Sequence, residues 1–164
     1  MTFPEGAMGS LDSHDVSSAD WDWILRASEF TQLCIVVDGS IPTSVAHALA
    51  KRFTAVSQVS MLRIPEPVSL HRAWIESSER ETFSGATVTG DAEKSMRQLS
   101  RAVQLLLWSS VPEELDWLGG VHGQSVLHMR YRIDTDEASA VPIGIERVFA
   151  VLRAVVLRNV ATGY

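Results

Sequence analysis

The chain is short of the groups that stabilise or anchor proteins outside the cytosol. Its 164 residues include one cysteine, Cys34, which excludes an internal disulfide. Cys34 lies in the apolar run 33–37, where a free thiol is expected to be a small core residue in a reducing compartment. The first residues lack the positive charge and apolar stretch of a signal peptide, and no apolar run reaches about 18 residues. The sequence therefore predicts a cytoplasmic protein without a membrane span.

Catalytic and cofactor-binding motifs are also lacking. There is no HExxH or CxxC metal pair, no phosphate-binding GxxxxGK(S/T) loop and no GxSxG nucleophile turn. Metal ligands must converge in space, but the histidines are scattered along the chain. They are His14, His47, His71, His122 and His128. We therefore expect no metal and no cofactor, and a binding protein rather than an enzyme.

Negative charge is concentrated at the amino-terminal end. The chain has 20 acidic and 14 basic residues, for a net charge of −6. Residues 1–22 hold five of the acidic residues and no lysine or arginine, so they contribute −5 and the other residues −1. Residues 1–18 are rich in glycine, serine and aspartate, which predicts a flexible acidic tail before one globular domain over residues 19–164.

The first half of the chain is predicted to contain a strand–helix–strand unit. A buried strand is expected over residues 32–37, a helix from Pro42 onward, and a second strand over residues 58–64. The unit has the size that a parallel crossover needs. Before it, residues 21–27 are predicted to form a first helix.

The middle of the chain gives weaker signals. Residues 68–79 fit either a short helix or an irregular lid, and residues 83–89 fit a strand. Apolar residues recur at helical spacing from Asp91 to Trp108, which predicts an amphipathic helix there. Residues 113–123 are expected to form a loop or a short turn of helix.

The last forty residues have the clearest pattern. Residues 125–133 alternate between apolar and polar, which predicts a strand with one buried face. Residues 143–160 form a helix that is apolar on nearly every side, so a sheet, other helices or a second copy must cover it. We expect a single α/β or α+β domain with a four- to five-stranded mixed sheet and three to four helices. The strand order is not predicted.

Asp38 and His122 are the candidate residues for chemistry. Asp38 ends the strand over residues 32–37, and ligands often bind beyond strand ends in α/β sheets. Asp38-Gly39-Ser40 also fits an ordinary turn into a helix. His122 lies in the glycine-rich stretch 119–123, where backbone can approach a ligand closely. A flexible connector before a strand explains that stretch more simply.

The candidate residues for partner binding are basic or aromatic. His128, Arg130 and Arg132 share one face of the last predicted strand, where they can contact phosphates or an acidic partner, or simply face solvent. Trp21 and Trp23 lie two residues apart and would point in different directions on a helix, so at least one is expected to be exposed or covered by a partner.

These observations favour a non-catalytic protein-binding module. The class includes small regulators, adaptors, chaperones, immunity-type inhibitors, and viral accessory or structural proteins. The acidic front predicts a basic protein partner, and the last helix predicts a homo-oligomer. The alternative is a small enzyme or ligand-binding domain with a site near Asp38 and His122. Nucleic-acid binding is the least favoured function because the net charge is negative.

Overall fold

The computed structural model describes residues 21–85 and 90–162, so the predicted acidic tail over residues 1–18 lies outside the described residues. The strands are β1 (Asp22–Leu25), β2 (Leu33–Asp38), β3 (Val59–Ile64), β4 (Gln104–Ser109) and β5 (Ser125–Arg130). The helices are α1 (Thr43–Phe53), α2 (Pro67–Ser84), α3 (Asp91–Met96), α4 (Trp117–His122) and α5 (Glu137–Thr162), with a 3-10 helix at Pro112–Leu115. The predicted α/β domain is confirmed.

The described strands form one mixed sheet in the order β1-β3-β2-β4-β5. Strands β2 to β5 run parallel, and β1 pairs antiparallel with β3 at one edge. The predicted parallel crossover from β2 through α1 to β3 is confirmed. The chain leaves β2 for β3 on one side and later adds β4 on the other side. The carboxyl ends of β2 and β4 therefore flank a topological switch point.

Helices cover both faces of the sheet. One layer consists of α1 and α5, and we call it the α1–α5 layer. The other layer contains α3, α4, the 3-10 helix and the first turns of α2, and we call it the α2–α4 layer. Side chains of the central strand β2 alternate between the layers, with Ile35 facing the first and Val36 the second. Because both faces of β2 are buried, its sequence is a continuous apolar run.

The predicted helix from Asp91 to Trp108 is wrong in its second half. The helix α3 ends at Met96, and the chain turns before β4 begins at Gln104. All six residues of β4 are buried, and the strand lies between β2 and β5. A short apolar run fits both helical and strand periodicity, and here the parallel ladders on both sides determine the outcome.

The predicted helix over residues 21–27 is also wrong. The segment forms β1, which pairs with β3 through Asp22 opposite Arg63 and Trp23 opposite Leu62. Because side chains alternate along a strand, Trp21 and Trp23 point to the same side, where both pack against the α2–α4 layer. Both indoles are half-buried.

The helix α2 covers one segment that the sequence left open and the start of another. Residues 68–79 belong to α2, a regular helix that continues to Ser84 and ends at Gly85 in the left-handed conformation. The strand predicted over residues 83–89 is therefore wrong at its start, where Phe83 and Ser84 are helical, and its residues 86–89 lie outside the described residues.

The terminal strand and helix are confirmed as elements, but their exposure differs from expectation. In β5, Met129 is buried on the predicted apolar face, while Leu127 is 42% exposed. The helix α5 packs on α1 and on the sheet through a buried stripe. Its opposite side leaves Ile143 57% and Leu157 60% exposed. Its all-round apolarity is therefore only partly explained by the described fold.

Candidate functional site

The switch point is occupied by a network of short polar side chains. The carboxylate of Asp38 accepts hydrogen bonds from the Ser40 hydroxyl at 2.5 Å and the Ser40 backbone N–H at 3.0 Å. Its other oxygen accepts from the Ser109 hydroxyl at 2.6 Å. The Ser40 and Ser109 oxygens in turn accept from the backbone N–H groups of Ser110 and Val111. The network joins the ends of β2 and β4.

The contacts of this network favour a structural role for Asp38. Asp38 is 6% exposed, and both of its carboxylate oxygens are already hydrogen-bonded. A buried carboxylate is stabilised by such donors, and removing any of them leaves a polar group unsatisfied. The adjacent Gly39 is required for a separate reason, because a Cβ there would lie 2.7 Å from the carbonyl oxygen of Pro65.

His122 does not join Asp38. It ends α4, directly before β5 begins at Ser125 at the amino end of the parallel strands, whereas Asp38 lies at their carboxyl end. The glycine-rich stretch is mostly helix, closed by Gly123 at a φ of +85°. The structure therefore does not assemble one site from Asp38 and His122.

The predicted basic stripe is neutralised by neighbouring carboxylates. His128 Nε2 lies 2.5 Å from Asp116, and Arg130 donates to Glu113 at 2.6 Å. The third pair, between Arg132 and Asp134, spans 3.1 Å in the loop after β5. The Arg132 guanidinium lowers the pKa of the Asp134 carboxyl through a hydrogen bond and its charge. Little net positive charge remains on this face to attract phosphates.

A groove opens on the other face of β5, beside α5. Its volume is about 520 Å³. Apolar side chains form its floor and walls, with polar groups at its ends. The lining residues are Gln104, Leu106, Leu127, His128, Arg147, Ala150, Val151, Ala154, Val155 and Arg158. We call it the β5–α5 groove.

The groove exists because the sheet extends beyond the helices that cover it. The helix α5 contacts α1 on one side, and β5 is the last strand among the described residues. The α1–α5 layer therefore stops before it covers β5, and Leu127 remains exposed. The α5 side of the lining includes Ala150 and Ala154, whose small side chains leave the backbone open to close approach.

Two arginines give the groove its charge. Arg147 and Arg158 are exposed, and neither has a carboxylate partner in the described part of the chain. Within the described residues, the Arg158 side chain donates only to the amide oxygen of Gln104, at 3.4 Å. None of the described lining residues is acidic. A second hollow of about 500 Å³ continues the surface toward Ile143 and contains Glu146.

The tryptophans lie mainly on the opposite face of the sheet. The indole N–H groups of Trp21 and Trp23 are inaccessible and lack an acceptor in the described residues, so no partner reaches them without rearrangement. Elsewhere in the α2–α4 layer, Trp117 stacks on His71 with ring centroids 4.9 Å apart and lies 5.7 Å from Trp74. Partner binding by Trp21 and Trp23 stays a prediction.

Metal and thiol chemistry have no support in the described residues. Among residues 21–85 and 90–162, no group of three acidic, histidine or cysteine side chains is arranged to hold a metal ion. Burial raises the pKa of the Cys34 thiol to about 12, so the nucleophilic thiolate is suppressed at neutral pH. Cys34 therefore has the inert core role that its sequence position indicates.

The fold and its surfaces define a doubly wound α/β domain with an open, arginine-flanked apolar groove beside its last strand. No family model, curated protein or solved structure matches the chain. In the described residues, even the 26-residue helix α5 is not long and apolar enough to cross a membrane. The sequence alone did not predict this groove, because the small residues Ala150 and Ala154 between Arg147 and Arg158 become informative only when β5 is known to lie beside α5.

Proposed function

We propose that this protein is a non-catalytic protein-binding module whose β5–α5 groove holds an acidic amphipathic helix of a protein partner. The observation that supports the proposal is an open apolar groove with Arg147 and Arg158 at its ends and no carboxylate among the described residues that line it. Small regulators, adaptors and inhibitors commonly work through such helix-in-groove contacts. The proposed partner is acidic, whereas the acidic amino-terminal segment predicted a basic partner.

The shape of the groove favours a helix as the occupant. Leu127 forms an apolar floor, and Ala150 and Ala154 form a wall of small side chains. A helix placed there would lie beside α5, about 8–10 Å from its axis, and would cover β5. It would thus complete the α1–α5 layer in the way that a further helix of an α/β fold would.

The charges favour an acidic occupant. Arg147 and Arg158 lie about three helical turns apart along α5, roughly 16 Å. A partner helix with carboxylates at the same separation and apolar residues between them would match both ends and the centre. Arginine suits this role because its planar guanidinium binds carboxylates through two parallel hydrogen bonds.

The same charges disfavour a second copy of this chain as the occupant. Residues 143–160 contain Arg147, Arg153 and Arg158 but only one acidic residue, Glu146. Packing two such helices together would place arginines near one another without enough carboxylates to pair them. Homo-oligomerisation through α5 remains a prediction, and a mass measurement in solution over a range of concentrations tests it.

Two synthetic peptides test the proposal. Both have about 18 residues, long enough for a helix of roughly 27 Å, and the same leucine positions on one face. One has glutamate at its polar positions and the other has lysine. We expect the acidic peptide to bind and the basic one not to bind. Binding should weaken with added salt because the charges are exposed.

Charge reversal locates the binding site. The double variant Arg147→Glu/Arg158→Glu should weaken binding of the acidic peptide by about tenfold or more and allow the basic peptide to bind. The matched control is Arg153→Glu, on the same helix but outside the groove lining. Ala154→Trp should block both peptides by filling the groove. Equal affinity for wild type, the double variant and Ala154→Trp would overturn the proposal.

A further inference from the structure

The amino-terminal segment of this chain has the chemistry that the β5–α5 groove accepts. Residues 1–20 contain four carboxylates and no lysine or arginine. The carboxylates belong to Glu5, Asp12, Asp15 and Asp20. Apolar residues lie between them, including Leu11 and Val16. The segment thus combines negative charge with apolar side chains, as the partner helix is proposed to do.

The chain is long enough to bring this segment to the groove. Residue 21 precedes β1, which pairs antiparallel with β3, so residue 21 lies at the end of the sheet where the parallel strands have their carboxyl ends. Four strand spacings, about 19 Å, separate β1 from β5 across the sheet. Twenty extended residues span up to about 66 Å, which allows several paths around either end of the sheet.

We propose that residues 1–20 occupy the β5–α5 groove when no partner is bound and compete with the partner for it. The pairing matches the segment's carboxylates with Arg147 and Arg158, which have no carboxylate partner in the described residues. A linked segment acts at an effective concentration near the millimolar range, so even weak contacts populate the docked state. The regulatory part of this inference rests on the proposed function.

A spin label tests the docking without any partner. Cys34 is buried, so a cysteine introduced by Ser13→Cys can be labelled selectively on the full chain. We expect the label to broaden backbone amide signals of residues 147–158 and of β5. The effect should disappear in Arg147→Gln/Arg158→Gln. A label at Glu79→Cys on α2, outside the groove lining, is the control and should leave these signals sharp.

Two spectroscopic results would overturn the docking. The first is the absence of broadening on α5 and β5 from the label at position 13. The second is broadening that persists unchanged when both arginines are neutralised, since the segment would then not be held by charge pairing. Either result leaves the peptide experiments on the groove valid.

Peptide affinity tests the competition. Neutralising the segment with Glu5→Gln, Asp12→Asn, Asp15→Asn and Asp20→Asn should tighten binding of the acidic peptide. If the segment occupies the groove nine-tenths of the time, the gain is about tenfold. The matched control removes four carboxylates elsewhere. It consists of Glu29→Gln, Glu76→Gln, Glu79→Gln and Glu81→Gln, which change the net charge equally.

The two proposals fail in different ways. If the affinity for the acidic peptide rises equally in the segment variant and in its control, the proposed competition is wrong. The groove variants would still support peptide binding in the groove. If the acidic peptide binds no variant of the protein, the proposed function and the competition both fail, and the spin label still decides whether the segment docks.

Discussion

The hydroxyl of Ser109 donates a 2.6 Å hydrogen bond to Oδ2 of Asp38, 71 positions earlier in the chain. The two residues end the adjacent parallel strands β4 and β2, and both are buried. The bond therefore joins the halves of the sheet where the chain reverses its direction of winding. In many α/β proteins this location holds a ligand, but here protein side chains use both oxygens of the carboxylate.

Removing the Ser109 hydroxyl is expected to destabilise the protein. Ser109→Ala leaves Oδ2 of Asp38 without its donor and the Val111 N–H without its acceptor. The expected loss in the free energy of unfolding is about 1–3 kcal/mol, measured by urea denaturation. Ser110→Ala is the control, because only the backbone N–H of Ser110 joins the network. Equal effects of the two variants would contradict the structural role.

Asp38→Asn separates the structural role from the catalytic alternative. The amide cannot accept at both positions, so the structural role predicts a clear loss of unfolding free energy. A ligand or catalytic site near Asp38 predicts instead that binding or activity is lost while the melting temperature hardly moves. Thermal unfolding of Asp38→Asn beside Ser110→Ala decides between the two.

Gly39 and Gly120 form a contrasting pair. A Cβ at Gly39 would lie 2.7 Å from the backbone oxygen of Pro65, which cannot move without displacing the end of β3. Gly39→Ala should therefore lower the free energy of unfolding by about 1–3 kcal/mol. Gly120 lies in α4, and apart from its own stretch of helix no atom lies within 4 Å of the added Cβ, so Gly120→Ala should leave the free energy of unfolding unchanged or raise it by up to about 1 kcal/mol. Denaturation midpoints that rank the variants in the reverse order would contradict the packing described.

The thiol of Cys34 is expected to be unreactive in the native protein. Desolvation raises the pKa of the thiol from 9.0 to about 12. Labelling by an aromatic disulfide at pH 8 should therefore be slow and should track unfolding as urea is added. Because the folded pKa is the higher one, this thiol's contribution to stability is complete below about pH 9 and declines as the pH rises toward 12. Rapid labelling without urea would contradict the burial.

The strand–helix–strand unit at residues 32–64 was predictable because its signals are local. Each of its two short apolar runs is bounded by turn or proline residues, and a proline marks the start of the helix between them, so length and flanking residues favour strand, helix and strand in turn. The strand β4 was not predictable in this way. Its apolar residues fit a helix as well as a strand, and the pairing of Leu105 with Cys34 in β2 decides between them. These two residues are far apart in the sequence, so no local pattern predicts their pairing.

The β5–α5 groove was out of reach for a similar reason. It depends on β5 being the last strand and on α5 lying against α1, and no residue pattern states either fact. The sequence did show that α5 is more apolar than one core face requires. It could not show that Ala150 and Ala154 line the open side. Likewise, the sequence of the stripe from His128 to Arg132 indicates a positive surface. The structure places the carboxylates of Asp116, Glu113 and Asp134 beside it.

Asp136 is expected to make the start of α5 sensitive to acid. Its carboxylate accepts from the backbone N–H of Ser139 at 2.8 Å and from the Ser139 hydroxyl at 2.9 Å, in the manner of a helix cap. Hydrogen bonds from the Ser139 side chain and backbone lower the pKa of Asp136 from 3.8. The stabilisation is therefore present above pH 3.8 and is lost as the pH falls through the lower folded value.

Asp136→Asn isolates this effect, because asparagine also caps helices but does not titrate in this range. We expect the variant to remain folded at pH 7 and to lose less stability than wild type between pH 5 and pH 2. Urea denaturation followed by circular dichroism at several pH values measures the difference. Glu29→Gln is the control, since Glu29 accepts no side-chain hydrogen bond in the described residues and is exposed. An identical pH dependence in Asp136→Asn and wild type would show that the Asp136 carboxylate contributes nothing to acid sensitivity, and α5 would then depend on its packing against α1 and the sheet alone.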